Sequence, residues 1–332
     1  MKKNTNTTFN SPLNLTEGWY WLLSSCELKK GKIKAVQLAN IELIVYRGEN
    51  GKVAALHAYC PHMGAHLAEG RVENNQVRCF FHNWQFDKNG KCTDIPCLEK
   101  MPSKNISLKA YHVVEQHSMI WVWLGKDEPL HDVPEVPELA GQRTVSELGN
   151  RFLKNCHPNV VMINAIDEQH FRTVHKLPGS ILCMEPKIIN QHNITFNNTG
   201  CIPKTNLIGR ILSCFYKGAM TYNLSYWYGH IGVTTFGPDF LHLHLMFALR
   251  QTPDGKTEGQ TIVFTKYRKG MIGWLFNKLI LFISKVGGGY FARGDTRVFQ
   301  TIKFDLKTPL AADRAVIHFK NHLEKQEQYE PS

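Results

Sequence analysis

The sequence predicts an α+β chain in which a small all-β N-terminal domain precedes a larger domain of antiparallel sheet and helices. Three observations predict this. From Gly18 to Leu124, short apolar runs alternate with tight-turn residues and show no helical period. From Pro129 to Pro137, prolines recur too closely for a regular element. Beyond Arg151, helical spacing and strand-like runs occur together, the mark of a mixed domain. The expected partition is 15–127 for the first domain, 128–147 for a linker and 148–332 for the second.

Within the first domain, Ile41–Tyr46 and Val53–His57 flank the turn residues Gly48–Gly51, a hairpin signal. Gln85–Asp87 and Lys91–Thr93 flank Lys88–Gly90 in the same way. Val113–Val114 and Met119–Leu124 supply further strands, and the second is apolar throughout, as a buried strand is. In the second domain, Val160–His175 has helical spacing. Leu241–Phe247 and Thr261–Thr265 read as strands, and the end from Thr296 is helical in part. Met271–Lys285 is an apolar run of under 18 residues broken by Asn277, Lys278 and Lys285, which argues against a membrane span. It is expected to be a buried helix lining a large pocket. The competing reading is a helix lying on a membrane, favoured by Trp274, Leu275 and the basic flank Lys266, Arg268 and Lys269.

The 332 residues suffice for two domains, and 43% hydrophobic against 20% charged residues excludes wholesale disorder. The formal charge of +11 favours anionic partners, but no nucleic-acid module accompanies it, so a solvated basic surface is expected and no nucleic acid. The polar opening MKKNTNTTFNSP lacks the apolar core of a signal peptide, and the expected compartment is the cytoplasm. In that setting nine scattered cysteines are not expected to form disulfides. Cys26, Cys92, Cys97, Cys156, Cys183, Cys201 and Cys214 have no suitable histidine neighbours and are read as small, mostly buried fillers.

Cys60 and Cys79 differ from these. Cys60-Pro-His62 and Cys79-Phe-Phe-His82 are two mixed pairs, with sixteen residues between His62 and Cys79. Two thiolates and two imidazoles match the ligand set of a [2Fe–2S] centre in which one iron takes both cysteines and the other both histidines. Neutral imidazoles reduce the negative charge on such a cluster and raise its potential, and their second ring nitrogens stay available for a carboxylate. Structural zinc on two cysteines and two histidines is the alternative. A zinc finger, however, pairs like with like around a helix, whereas each loop here mixes the two after strands.

Tyr59–Gly70 and Cys79–Gly90 resemble the two cluster-binding loops of the Rieske non-haem iron oxygenases, the ring-hydroxylating α-subunit family. The resemblance implies Cys60, His62, Cys79 and His82 as ligands of the [2Fe–2S] cluster, with Trp84 as aromatic packing beside the second loop; His66 lies off the pattern. Asn164-Ala-Ile-Asp167-Glu-Gln-His170-Phe-Arg-Thr-Val-His175 resembles the family's N-x-x-D-x-x-H-x(4)-H motif. It implies His170 and His175 as ligands of a mononuclear Fe(II), Asn164 near that iron, and Asp167 as a bridge to a cluster histidine of a neighbouring subunit in a homotrimer. Two imidazoles and one carboxylate leave positions open for dioxygen. Arg293–Gln300 resembles the family's late acidic segment and implies Asp295 as the carboxylate ligand, with Asp305 and Asp239 as competitors.

Two further constellations are declined. His242 and His244, two apart on a strand, are expected to be hydrogen-bonded sheet or pocket residues, and Cys156-His157-Pro158 lacks the orienting partner of a thiol nucleophile. The chain also lacks a nucleotide-binding glycine turn and a plant-type ferredoxin cysteine run; Gly287–Gly289 has the wrong spacing. The resemblance therefore implies electrons from a separate NAD(P)H-dependent reductase, with or without a ferredoxin. Family chemistry includes arene dihydroxylation, demethylation, ring hydroxylation and desaturation. His62-Met-Gly, His170-Phe-x-x-Val-His-x-Leu-Pro178 and the tail around Asp313 and Ala315–Phe319 are most similar to the ketosteroid hydroxylases and cholesterol desaturases. They imply a small hydrophobic organic substrate, sterol-like or aromatic. An electron-carrying ferredoxin with incidental downstream histidines is the reading outside the oxygenase class.

Overall fold

The computed structural model describes residues 15–174, 184–201, 210, 214 and 218–329. The chain divides in the proline-spaced segment: of the described residues, one unit takes 17–133 with Tyr329, and the other takes 134–328 with Leu15 and Thr16.

The first unit is all sheet. Strands β1 (Gly18–Ser24), β2 (Ile33–Leu38), β3 (Ile41–Arg47), β4 (Val53–His57), β5 (Arg71–Glu73), β6 (Gln76–Arg78), β7 (Gln85–Phe86), β8 (Cys92–Asp94), β9 (Ala110–Tyr111), β10 (Val113–Gln116) and β11 (Met119–Leu124) form three sheets. Their orders are β9-β4-β3-β2, β10-β11-β1 and β5-β6-β7-β8, with antiparallel neighbours throughout. Both expected hairpins form, β3 with β4 and β7 with β8. β1 and β11 are buried along their whole length, and Trp19 and Trp21 lie opposite Trp123 and Trp121. Such cross-strand aromatic pairs each add a few tenths to about 1 kcal/mol beyond their burial, so these two strands form a rigid floor. The sheet of β5 to β8 and its flanking turns carry the cysteine–histidine loops. Their core is Leu56, Leu67, Val77 and Phe86, together with the two cysteines themselves.

The second unit is built on one seven-stranded antiparallel sheet. Its strands are β12 (Thr144–Lys154), β13 (Glu185–Ile188), β14 (Asn193–Cys201), β15 (Ala219–Trp227), β16 (Ile231–Pro238), β17 (Leu243–Gln251) and β18 (Thr257–Lys266), in the order β12-β18-β17-β16-β15-β14-β13. Six consecutive strands, β13 to β18, form a meander, and β12 closes its far edge. The chain must therefore cross the whole sheet between β12 and β13, and that crossing carries α1 (Pro158–Asn164) and α2 (Glu168–Thr173). Met162, Ile163, Ile166 and Phe171 pack on Ile194, Phe196, Leu224 and Leu249 beneath them. Helices α3 (Gly270–Gly294), α4 (Thr296–Phe299) and α5 (Arg314–Leu323) follow the sheet. Leu281 of α3 packs on Leu245 and Val263. Leu245 and Leu249 are four apart on β17 and so share a face, which places α3 on the same side of the sheet as α1 and α2.

Three expectations need correction. Val160–His175 is not one helix, because the Asp167 carboxylate takes backbone amides and starts a second helix after a break at Ala165–Ile166. Met271–Lys285 belongs to a 25-residue helix whose large apolar side chains are mostly exposed, not buried around a pocket. Of the filler cysteines, Cys92 and Cys156 are buried but Cys26, Cys97 and Cys214 are exposed. Cys26 lies in a one-turn 3-10 helix and Cys97 in a turn, and neither has a core face to bury it. Cys183 lies outside the described residues, as does the side chain of Cys201.

Candidate metal centres

The two cysteine–histidine loops have the same backbone. The Cys60 amide donates to the Ala65 carbonyl at 2.9 Å, and the Gly64 amide returns to the Cys60 carbonyl at 2.9 Å. In the second loop the Cys79 amide donates to the Trp84 carbonyl at 2.9 Å, and the Asn83 amide returns to the Cys79 carbonyl at 3.1 Å. Each loop needs a left-handed residue four positions after its cysteine. Gly64 supplies one (φ 73°) and Asn83 the other (φ 58°). Glycine meets this at no steric cost, and asparagine is among the few side chains that tolerate it.

These twin turns set the donors in two layers. Cys60 and Cys79 are 3% and 1% exposed, and their sulfurs are within hydrogen-bonding contact. His62 and His82 are exposed, with their Nδ1 atoms 3.1 Å apart. Trp84 stacks on His62 at a centroid distance of 4.4 Å and an interplanar angle of 6°, so this residue of the second loop holds the ring of the first. Arg78 braces the second loop by donating to the Asn83 carbonyl at 2.7 Å, to Asp94 at 2.8 Å and to Glu73. His66 is occupied elsewhere, since its Nδ1 accepts the Ala68 amide at 3.1 Å.

Burial pushes the Cys60 thiol up to about 11, aided by the Cys79 sulfur and opposed by the His62 amide. A thiol so hard to ionise becomes a thiolate only where a cation replaces its proton. Among the described residues no three His, Cys, Asp or Glu side chains converge as they would on a single ion. The donors here come in twos, a buried pair of sulfurs and an exposed pair of imidazoles, which is the demand of a two-iron cluster.

In the second unit, sequence-distant residues meet. His170 Nε2 lies 2.9 Å from Asp295 Oδ1, with the two side chains 8% and 14% exposed. Asn164 Nδ2 is 3.1 Å from the same Nε2. Asp167 caps α2, its Oδ1 accepting the amides of Gln169 at 2.9 Å and His170 at 3.1 Å. The adjacency of Asp167 and His170 thus comes from a cap and not from a shared helical face. The exposed C-terminal carbonyls of α1 are met from the sheet, where Tyr226 donates to Met162 at 2.8 Å and Tyr222 to Ala165 at 3.2 Å. Burial, with Asp295 nearby, keeps the Tyr222 hydroxyl protonated well above the ordinary tyrosine range. Gln169 is tied to Asp313 at 2.8 Å, which fixes α2 from the other side.

Two lone-pair donors bound about 2.1 Å from one octahedral ion sit roughly 3 Å apart, close to the His170–Asp295 separation. A cation held between that nitrogen and that oxygen would take a lone pair from each and need no proton between them. His175 lies outside the described residues. Of the competing carboxylates, Asp305 is exposed beside Lys307 and Asp239 sits in the turn after β16.

One residue near this site escaped the sequence reading. Lys154, on edge strand β12, is only 8% exposed and donates to Thr296 Oγ1 at 2.8 Å, one residue from Asp295. Burial pulls its ammonium below the ordinary lysine range, and the Asp295 carboxylate opposes this. The hydroxyl contact of Tyr222 with Ala165 depends on which strand lies beneath α1, which the sequence does not show. The declined constellations are structural: His242 pairs with Glu138 at 2.7 Å, His244 with Thr235 at 2.9 Å, and His157 caps α1.

Residues 18–112 match the Rieske [2Fe-2S] domain, so the first unit is a Rieske domain and its implied cofactor is the two-iron, two-sulfur cluster. Solved structures of Rieske oxygenases share the fold of nearly the whole chain. NdmA of Pseudomonas putida CBB5 with caffeine has a TM-score of 0.69 at 15% identity, over 95% of this chain and 96% of that one. Dicamba monooxygenase has a TM-score of 0.62 at 19% identity, over 96% and 98%. By sequence, the chain is 35% identical over 163 residues to a cholesterol 7-desaturase of Bombyx mori, covering 48% of this chain and 35% of that protein. It is 31% identical over 241 residues to a cholesterol 7-desaturase of Ciona intestinalis, covering 68% and 50%. It is 30% identical over 163 residues to the oxygenase component of a 3-ketosteroid-9-alpha-monooxygenase of Rhodococcus rhodochrous, covering 48% and 42%. The chain thus spans half or less of the length of these relatives. The resemblance to Rieske oxygenases read from the two loops is borne out, as is the α+β fold class.

Proposed function

We propose that this chain is the oxygenase component of a Rieske system that hydroxylates or desaturates a sterol-like substrate, with electrons from a separate NAD(P)H-dependent reductase. The observation that carries the reading is the His170–Asp295 pair at 2.9 Å, on a different unit from the cysteine–histidine loops. A Rieske electron carrier has no use for it. The steroid-acting relatives support the substrate class.

The cluster would supply electrons singly, and a ferrous ion held by His170, His175 and Asp295 would bind and activate dioxygen. Cys60 and Cys79, as thiolates, and His62 and His82, through one ring nitrogen each, would hold the cluster, and each imidazole would keep its second ring nitrogen for a partner outside it. Asp167 spends Oδ1 on the helix cap and leaves Oδ2 for such a ring nitrogen of a neighbouring subunit, which is its place as a bridge in a homotrimer. Asn164 stands beside the proposed iron site, its Nδ2 3.1 Å from His170 Nε2. Tyr222, neutral and hydrogen-bonded to Ala165, keeps a second negative charge away from Asp295.

The test is turnover with a reductase and NADH on a panel of sterols, ketosteroids and aromatic acids, followed by oxygen uptake and product mass spectrometry. The reading expects uptake stimulated by a sterol or ketosteroid, with products 16 mass units heavier or 2 lighter. Uptake stimulated only by aromatic acids overturns the substrate class. A reduced cluster that is never re-oxidised by dioxygen, whatever the substrate, overturns the oxygenase reading.

A further inference from the structure

Helix α3 is amphipathic in the wrong sense for water. Its buried stripe is narrow and partly polar, made of Asn277, Ile280, Leu281 and Ser284. The opposite face carries Met271 (78% exposed), Ile272 (81%), Trp274 (57%), Leu279 (53%), Phe282 (64%) and Val286 (56%). A helix on a sheet normally buries its large apolar residues and turns polar ones outward. From Met271 to Val286 the apolar strip runs about 22 Å along the helix, and a contiguous exposed apolar patch marks an interaction site.

Along the sequence the charges flanking the strip have one sign. From Gly259 to Gly294 the chain has six lysines and arginines and no aspartate or glutamate. Lys266 and Lys269 stand exposed at the N-terminal end of α3, and the Arg143 guanidinium lies 4.0 Å over the Tyr267 ring beside them. Lys278 and Lys285 both pair with Glu147 of β12, which ties the helix to its sheet. By length and composition alone α3 could cross a bilayer. Those two ion pairs and the packing of Leu281 on Leu245 and Val263 hold one side of it against protein instead.

We infer that the outer face of α3 lies in the surface of an anionic lipid bilayer, with its apolar side chains among the acyl chains and its basic flank among the headgroups. Both halves of the surface are then satisfied. A second copy of this strongly basic chain would satisfy the apolar half and set cation against cation; a nucleic acid would do the reverse. The helix ends one residue before Asp295, so a docked α3 connects a membrane to the His170–Asp295 site. Delivery of an apolar substrate along that route rests on the oxygenase reading; docking does not.

Vesicle flotation of the full-length holoprotein tests docking without turnover. One set of vesicles is pure phosphatidylcholine and the other contains one third phosphatidylserine. The expected result is binding to the anionic set that weakens in high salt. Ile272→Glu with Leu279→Glu should cut it by about tenfold or more, and Lys266→Glu with Lys269→Glu should weaken it while leaving the Rieske visible spectrum intact. Failure to float with either set, or binding unmoved by both double variants, overturns the inference. So does an Ile272→Glu/Leu279→Glu variant whose only change is a smaller particle by sedimentation, because the face is then covered by another copy of the chain.

Discussion

His170 Nε2 stands 2.9 Å from Asp295 Oδ1, with a carboxamide 3.1 Å from the same nitrogen. The pair is assembled from both ends of the second unit. His170 comes from the crossing that carries the chain over its sheet, and Asp295 from the residue after the long helix laid beside that crossing. Removing either partner should leave the fold standing and the ion unheld. His170→Ala and Asp295→Asn are expected to lose the mononuclear iron while retaining the two irons of the cluster and its absorption bands. Substrate-dependent oxygen uptake should then fall by several orders of magnitude. Elemental analysis beside the visible spectrum checks this, and full iron content in both variants would remove these residues from the ligand set.

The twin loops make a sharper prediction at Asn83. Its left-handed backbone is required for the Cys79 amide and carbonyl to reach Trp84 and Asn83, as Gly64 permits for Cys60. Asn83→Gly keeps that conformation and loses only the 3.2 Å contact from Arg71, so its cluster occupancy should match wild type. Asn83→Val forces a β-branched residue into the same region at a cost of about 1–2 kcal/mol or more. Its cluster should be lost severalfold faster to a chelator, as followed by bleaching.

Asp167 has two separable duties, and two substitutions divide them. Asparagine is as good an N-cap as aspartate, whereas alanine forfeits about 1 kcal/mol. Asp167→Asn should therefore keep the thermal stability of wild type and both metal contents, yet slow substrate-dependent re-oxidation of the reduced cluster by tenfold or more. Asp167→Ala should lose stability as well. Stopped-flow absorbance of the pre-reduced protein reads the first effect, and rapid re-oxidation in the asparagine variant would confine Asp167 to capping.

The difference between what the residues announced and what only the fold reveals is physical. Cys60, His62, Cys79 and His82 belong to two local turns, so their spacing reports their geometry directly. Asp167 and His170 were legible for a similar reason, although their contact proved to be a cap rather than a helical face. Asp295 could be chosen only by resemblance, because nothing local says that a residue 125 positions later will face His170. Lys154 gave no signal, and the hydroxyl contacts of Tyr222 and Tyr226 were not legible, because these roles depend on which strand lies under which helix end. The outward face of α3 was misjudged because hydropathy records how apolar a helix is, whereas its packing decides which side is covered.

His244 gives a prediction on acid stability. It is buried on β17 with Nδ1 2.9 Å from the Thr235 hydroxyl. Burial lowers its pKa to about 4, with Glu138 opposing and His242 adding to the shift. The unfolded chain titrates this imidazole near 6.5. Below that pH the unfolded state takes up a proton that the folded state refuses until about 4. The contribution is therefore complete above pH 6.5 and is lost progressively as pH falls towards 4, by roughly 3 kcal/mol in all. His244→Asn retains a partner for Thr235 and has no proton to gain. It should be the less stable protein at pH 7.5 and should close the gap, or reverse it, at pH 5. Thermal melts of both proteins in the same two buffers decide the matter. An unchanged difference in melting temperature between the two pH values would show that folding does not shift the His244 pKa.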